Sequence, residues 1–407
     1  MLTLDDALSR LLGAVAPLGD VESLSTFDAL GRVLRQDVRS SLDVPPQDNT
    51  SMDGYALRCA DVPVAGTVLP VVQRIPAGVV GQPLQPGSAA RIFTGAQVPA
   101  GADAVVMQEQ CDAIRVDGQG DAVRVNVVPT VGQWIRRRGE DVCSDSIVLP
   151  SGTRLTPQAL GLAATVGAAT LSVTRRPRVA LFSTGDELAM PGEPLKPGAI
   201  YNSNRFTLRA AIQAMGCDCT DLGIVPDRLD ATRDALRRAA HGNDLIVTSG
   251  GVSVGEEDHL RPAVQAEGRI ELWQMAIKPG KPLAFGAVNR GDGSAAHIVG
   301  LPGNPVSSFL TFLLMVRPLL LRLQGATNLA PKRVRLRADF TWPRADKRRE
   351  FLRARRNDAG GLDLFPNQSS GVLTSAVWGD GVIDNPSERV IAQGDMVDFI
   401  SFAEWLG

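Results

Sequence analysis

Several glycine-, proline- and acid-rich turns carry residue types able to hold an anion and a cation side by side. They are Ser183-Thr184-Gly185-Asp186-Glu187, Pro226-Asp227, the run from Ser249 to Asp258 that contains Gly250, Gly251 and Ser253, and Gly300-Leu301-Pro302-Gly303-Asn304-Pro305. Glycine lets a backbone approach a phosphate-like group, and a helix that follows presents free N–H groups and its positive dipole end. In the last of these turns Asn304 suits an N-cap and Pro305 the first helical position. A Gly-Gly pair after a strand is often only a tight turn, so no single loop decides the matter.

The carboxylates add weight, because Glu187, Asp227 and Asp258 fall on the same strand-end edge as the glycine loops. Acids beside an anion site call for a bridging cation, and Mg²⁺, held by few carboxylates, waters and a substrate phosphate, is the natural candidate. The competing reading makes Asp227 and Asp258 helix-capping residues that stabilise the dipole. Both can hold for one side chain. The segment Lys278-Pro279-Gly280-Lys281-Pro282 contains two of the five lysines in an arginine-rich chain, which suits compact charges meeting an oxyanion. A solvated turn with two surface lysines is the alternative.

These turns need a scaffold that brings strand ends together. Between Arg178 and Leu323 the pattern alternates: strands at 179–182, 219–225 and 245–248, helices at 203–215 and 230–240, then strands at 272–277, 283–288 and 297–299 before a long helix over 305–323. Such alternation specifies a parallel α/β sheet, whose ligands bind outside the carboxyl ends of the strands. This domain spans 176–325. Before it, helical periodicity at Ala7, Leu11, Leu12 and Val15, resuming around Ala29 and Leu30, opens an N-terminal module of residues 1–42 and 142–175. Short β-like runs over 43–141 form an inserted mainly-β module, and 326–407 form a C-terminal β module with strands at 334–338, 350–353 and 396–400. The fold class is multidomain α/β plus β.

Composition narrows the function classes. With 44% hydrophobic and 21% charged residues the chain builds sizeable cores. A net charge of -2 offers no field for nucleic acid or anionic membranes, so any anion is held locally. The longest apolar run, Phe309 to Val316, is short of a membrane span, and no secretory leader pattern opens the sequence. Five scattered cysteines fit reduced thiols, and the three histidines show no ligand spacing, so a structural zinc site is not expected. The expectation is a cytoplasmic enzyme without nucleic-acid or membrane partners. The patch Arg136-Arg137-Arg138 followed by Glu140 and Asp141 reads as ion pairing at a domain or subunit junction.

Taken together, Met52-Asp53-Gly54-Tyr55-Ala56, Thr94-Gly95-Ala96, Arg136 to Asp141, Ser183 to Glu187, Gly250 to Gly255, Lys278 to Pro282 and Leu301 to Pro305 resemble the molybdopterin molybdenumtransferases. These are the MoeA-type molybdenum insertases, related to the C-terminal part of gephyrin. The resemblance runs in order along nearly the whole chain. It implies an elongated N-terminal module, a C-terminal barrel-like module and a homodimer that converts molybdopterin-AMP and molybdate into molybdenum cofactor and AMP with Mg²⁺. It also implies a molybdopterin adenylyltransferase and molybdoenzyme apoproteins as partners.

Carried over by the resemblance, Glu187, Asp227 and Asp258 line the pterin and Mg²⁺ cleft. The anion loops contribute Ser183, Thr184, Gly250, Gly251, Ser253, Pro302 and Pro305 to the substrate. Lys278, Lys281, Ser307, Arg353 and Ser370 form the molybdate cradle. Asp53, Thr94, Arg136 and Asp141 are functional positions of the inserted module, expected to face the partner subunit's cleft. Two departures stand out: Gln274 replaces a lysine found in some relatives, and Gly379-Asp380 stands where an Ala-Asn element is expected. The alternatives are a molybdopterin adenylyltransferase, which Val252-Ser253-Val254 speaks against, and a non-catalytic scaffold, which the intact acidic and lysine sets speak against.

Overall fold

A computed structural model describes residues 1–117, 120–252 and 259–406. Its α/β sheet has six strands in the order Asp218–Val225, Arg178–Thr184, Leu245–Ser249, Ala295–Leu301, Pro282–Asn289 and Gly268–Gln274. The first four run parallel, and the last two join antiparallel. The sheet is therefore mixed, where an all-parallel one was expected. The physical reason is chain length: only a short connection separates Gln274 from Pro282 and Asn289 from Ala295, too short for a crossover helix.

The expected strand over 272–277 divides in two. Its first part ends the edge strand Gly268–Gln274, while Ile277–Lys278 leaves this sheet and pairs in parallel with Arg349–Arg356 of the C-terminal module. A helix over Leu260–Glu267, not foreseen from the sequence, precedes the edge strand. The helix over 305–323 is continuous but passes through a π-helical turn at Phe312–Val316. Pro318 lacks an N–H and its ring crowds the carbonyl four residues back, and the wider turn accommodates both. The 19-residue stretch is long and apolar enough to cross a membrane, yet it is almost wholly buried in the protein.

The C-terminal strands close on themselves. Arg349–Arg356, Gly361–Leu364, Val334–Ala338, Met396–Ser401 and Gly381–Asn385 pair in turn, and Gly381–Asn385 returns to Arg349–Arg356, a five-stranded barrel. Residues 54–125 form a second six-stranded sheet in the order Ala104–Met107, Gly54–Leu57, Ala89–Ile92, Thr67–Ile75, Gly120–Val125 and Cys111–Val116. On either side of it in sequence, Val21–Ser25 pairs with Thr170–Thr174 and Val38–Arg39 with Ile147–Leu149.

The opening helix, Leu4–Gly13, is capped by Thr3, whose side chain accepts from the Asp6 N–H at 3.1 Å. Leu4, Ala7 and Leu11 bury into the α/β core beside Leu319 and Leu320, not into the Leu34, Leu149 and Leu171 core of the module to which the sequence assigns them. Two buried leucines contribute about 3–6 kcal/mol against about 1 kcal/mol for the cap, so packing decides where the helix lies. The helical period expected around Ala29 and Leu30 is replaced by the strand Val21–Ser25 and one 3-10 turn, Thr26–Asp28. At the other end, Trp405 packs into the same α/β core and its carbonyl accepts from buried Arg317 at 2.7 Å.

Candidate functional site

A cavity of about 700 Å³ opens where the carboxyl ends of Arg178–Thr184, Leu245–Ser249 and Ala295–Leu301 meet the barrel. Thr184, Glu187, Gly250, Gly251, Lys278, Lys281, Pro302, Ser307 and Ser370 all line it. These come from four separate turns and the barrel loop. Backbone bonds lock them in register: the Gly250 N–H donates to the Leu301 carbonyl at 3.1 Å, and the Val306 N–H to the Ser370 carbonyl at 3.0 Å. Asn304 occupies the N-cap but its side chain makes no capping bond, so the barrel carbonyl takes over part of that task. At Gly250, φ is +90° and an added Cβ would lie 2.6 Å from the Thr184 carbonyl oxygen, so only glycine fits.

The lysine loop ties the two domains electrostatically. Lys278 Nζ donates to Glu350 Oε1 at 3.0 Å and to Asp346 Oδ2 at 3.1 Å. Burial disfavours its charge, but the two acceptors prevail and hold the ammonium above its ordinary range. Glu350, 1% exposed, is also held by Trp342 Nε1 at 2.9 Å. Arg348, which lines the cavity, donates to the same Asp346 at 3.0 Å, and that bond leads in holding the Asp346 carboxyl far below the usual carboxylate range. Lys281 is exposed with no side-chain partner among the described residues. Thr184 Oγ1 is a buried hydroxyl without a partner in the same cavity.

Four expected residues of this half of the site do not line the cavity. Ser183 is fully buried and its hydroxyl bonds Ser249 Oγ at 3.1 Å, because it sits one residue back on the strand and faces inward. Pro305 serves as the first turn of its helix. Arg353 is buried on the barrel's outer face, where Phe351 and Val382, the cross-strand partner of Arg353, turn to the α/β core, and it donates to Ser375 Oγ at 3.1 Å and to the Phe351 and Ser369 carbonyls. Burial pushes its guanidinium down to about 10, so it stays charged behind the Ser369-Ser370 loop. Asp227 lies beside the cavity, its N–H donating to Asp186 Oδ1 at 3.1 Å. Its carboxyl is raised by burial first and then by the charges of Asp186 and Glu187.

That crowding of carboxylates is the feature a cation would relieve. Among the described residues no three acids converge as a ligand set. A cation here would rest on one or two carboxylates with phosphate and water completing its shell, which is how Mg²⁺ is commonly held. Ser253 and Asp258 lie outside the described residues.

The inserted module gathers its own candidates. Asp53 Oδ1 accepts from the Thr94 N–H at 2.8 Å and from Thr94 Oγ1 at 2.7 Å, which holds the carboxyl below its usual range. Arg136 pairs across from Asn49 and reaches Glu140 at 3.5 Å. Arg137 and Arg138 bind Asp48 and Asp43, ion pairs within the inserted module where pairing at a domain or subunit junction was expected, and Asp141 is exposed. Asp53, Thr94, Arg136 and Asp141 do not line the strand-end cavity.

Sequence reasoning missed Arg348 and Asn204, the latter donating to the Gly303 carbonyl at 2.7 Å. The barrel's crowding of charge at Asp346-Lys347-Arg348-Arg349 was the available signal for the first. A larger cavity of about 840 Å³ lies at the opposite ends of the strands. Arg175 and Arg237 there are already paired with Asp244 and Glu267, and none of the glycine turns reaches it.

Residues 2–167 match the family described as MoeA N-terminal region (domain I and II), residues 180–322 the probable molybdopterin binding domain, and residues 335–402 the MoeA C-terminal region (domain IV). The chain is similar to the molybdopterin molybdenumtransferase of Haemophilus influenzae, 42% identical over 326 residues, covering 80% of this chain and 78% of that one. It is 39% identical over 376 residues to molybdopterin molybdenumtransferase 2 of Mycobacterium tuberculosis, covering 89% and 90%. The crystal structure of a molybdopterin biosynthesis MoeA protein from Pyrococcus horikoshii superposes with a TM-score of 0.83 at 27% identity, covering 99% of this chain and 100% of that one.

Proposed function

The chain belongs to the molybdopterin molybdenumtransferase family, transferases that insert molybdenum during molybdenum cofactor biosynthesis, and from that premise we propose that its strand-end cavity converts molybdopterin-AMP and molybdate into molybdenum cofactor and AMP. The observation that carries this reading is the meeting of two chemistries in one cavity. Glycine turns and the unpartnered Thr184 hydroxyl receive a phosphate, while Lys281, Ser307 and Ser370 receive an oxyanion at the barrel edge.

In this reading Gly250 and Gly251 let the backbone close on the adenylate phosphate, and Thr184 Oγ1 donates to it. Glu187, and Asp227 behind it, face the position where water attacks phosphorus. Mg²⁺, held by Glu187 and Asp227 together with Asp258, would neutralise charge on the phosphate. Water adds to the AMP phosphorus, its anhydride bond to the molybdopterin phosphate oxygen breaks, and AMP leaves. Lys281, Ser307 and Ser370 hold molybdate against the dithiolene, whose two thiols bond molybdenum while one molybdate oxygen leaves as water with their protons. Arg353 positions the Ser369-Ser370 loop and adds positive potential behind it. Asp53, Thr94, Arg136 and Asp141 act on the cleft of a second copy in a homodimer, and an adenylyltransferase supplies the substrate while molybdoenzyme apoproteins accept the product.

The test supplies purified protein with molybdopterin-AMP, molybdate and Mg²⁺ and follows AMP release and cofactor formation. Both are expected to depend on molybdate. AMP release indifferent to molybdate, with no cofactor formed, would remove the insertase assignment from this cavity.

A further inference from the structure

The inserted module carries a second concave surface, which shares no lining residue with the cleft above. A cavity of about 650 Å³ crosses five strands of its sheet, with Arg74, Arg91 and Arg115 as its cations and Asp121 as its sole acid among the described residues. Arg91 stands directly across from Tyr55 on one side and from Arg74 on the other. Like charges facing each other on adjacent strands oppose sheet formation. Here the sheet keeps two of them with no carboxylate between, while Arg124 and Asp112 on the neighbouring strands lie 4.0 Å apart.

Part of the repulsion is absorbed by one ring. Phe93 lies between the two guanidiniums, 4.5 Å from Arg74 and 4.7 Å from Arg91 to its centroid, and Arg91 also stands 5.1 Å from the Tyr55 ring. Arg91 is fixed further by donating to the Gly54 carbonyl at 3.0 Å and to Gln108 Oε1 at 2.6 Å. Arg74 and Arg115 are exposed and make no side-chain hydrogen bond among the described residues, so their guanidinium edges are open to a ligand. Three cations against one carboxylate leave a surplus of two positive charges, matching a phosphate monoester, which carries about 1.5 to 2 negative charges near neutral pH. Val72, Ile114 and Ala122 give the same cavity an apolar wall.

We propose that this groove is a binding site for a small organic phosphate monoester, its phosphate on the Arg74 and Arg115 forks and its organic body on the Val72 and Ile114 wall. The aromatic faces of Phe93 and Tyr55 are occupied by arginine, so ring stacking is not the basis of recognition. The site does not require the insertase reading, since none of its residues lines the strand-end cavity, although Arg91 lies close enough to Asp53 to add to the Thr94 bonds that lower its carboxyl.

Calorimetric titration of the full-length protein with AMP at low ionic strength tests it, with adenosine and inorganic phosphate as separate arms. The expected result is a binding event that Arg74→Ala/Arg115→Ala weakens at least about tenfold, that Arg74→Lys/Arg115→Lys largely restores, and that adenosine does not reproduce. Both positions are exposed, so thermal unfolding of the double variant should match the parent and separate lost binding from lost structure. AMP bound in the strand-end cleft would survive the double variant as a remaining site. AMP isotherms that superimpose for parent and double variant overturn the groove. Inorganic phosphate binding there as tightly as AMP overturns the part assigned to the organic body.

Discussion

The two concave surfaces treat their cations in opposite ways. In the strand-end cleft Lys278 and Arg348 share Asp346, and Lys278 is held further by Glu350, so that only Lys281 enters without a described partner. In the groove of the inserted module Arg74 and Arg91 face one another, and the single acid, Asp121, stands across from Arg115. The cleft is preorganised and nearly neutral. An oxyanion entering it must compete with a carboxylate already in place, which sacrifices affinity and keeps the lysine geometry fixed when the cleft is empty. The groove offers affinity without that order. Each arrangement predicts a different response to losing one charge.

Replacing the cleft lysines singly gives the largest effects and should separate them. Lys281→Ala removes a free cation, so the oxyanion concentration needed for half-maximal turnover should rise about tenfold with thermal stability unchanged. Lys278→Ala should raise that concentration too, but it also strips Glu350 of a partner in a nearly inaccessible position. The Lys278 side chain is 39% exposed, so solvent screening reduces the cost to about 1–2 kcal/mol. Thermal unfolding alongside the kinetics checks the split. Unchanged stability in Lys278→Ala would mean the clamp on Lys278 has no structural weight.

Asp346→Asn is the next sharpest test. Asparagine keeps an oxygen for the Arg348 N–H, which Asp346 Oδ1 accepts at 3.0 Å, while removing the charge shared by Lys278 and Arg348. If that carboxylate competes with the incoming oxyanion, binding of molybdate or tungstate should tighten by about three- to tenfold. Its counterpart in the groove is Asp121, which stands across from Arg115. Unaltered or weaker oxyanion binding would show that Asp346 orients the cations and does not compete with the ligand.

The comparison also marks what a sequence can tell. The strand-end turns were legible because their glycines follow apolar runs at a spacing the chain prints directly, and the cleft brings Thr184, Gly250, Lys281 and Pro302 together as their turns imply. Ile277–Lys278 pairing with the barrel was not legible, since a two-residue strand carries no period of its own and its register is set by residues some 70 positions away. Arg353 enters the cradle only through the family resemblance. Its strand, Arg349–Arg356, shows no alternation, so which residues fill the barrel and which face the α/β domain depends on pairing that only the fold supplies. The opening helix has an apolar face the sequence shows plainly, yet the partner of that face is chosen by packing against Leu319 and Leu320.

The smallest expected effect concerns Asp227 and carries a sign. Its folded carboxyl is raised above the ordinary 3.8 by burial and by Asp186 and Glu187. The folded state therefore binds that proton more tightly than the unfolded chain, and stability falls as pH rises from the ordinary value through the raised one. The penalty is fully present above that window and absent below it. Asp227→Asn should then unfold at a slightly higher temperature than the parent at neutral pH, with the difference closing as the pH drops below 4 or so. Added Mg²⁺ should narrow the same gap from the other side, by raising the parent and leaving the variant nearly unmoved. A variant less stable than the parent at neutral pH without Mg²⁺ would show that Asp227 is held by favourable contacts, and the crowding that recommends a cation at this edge of the cleft would lose its support.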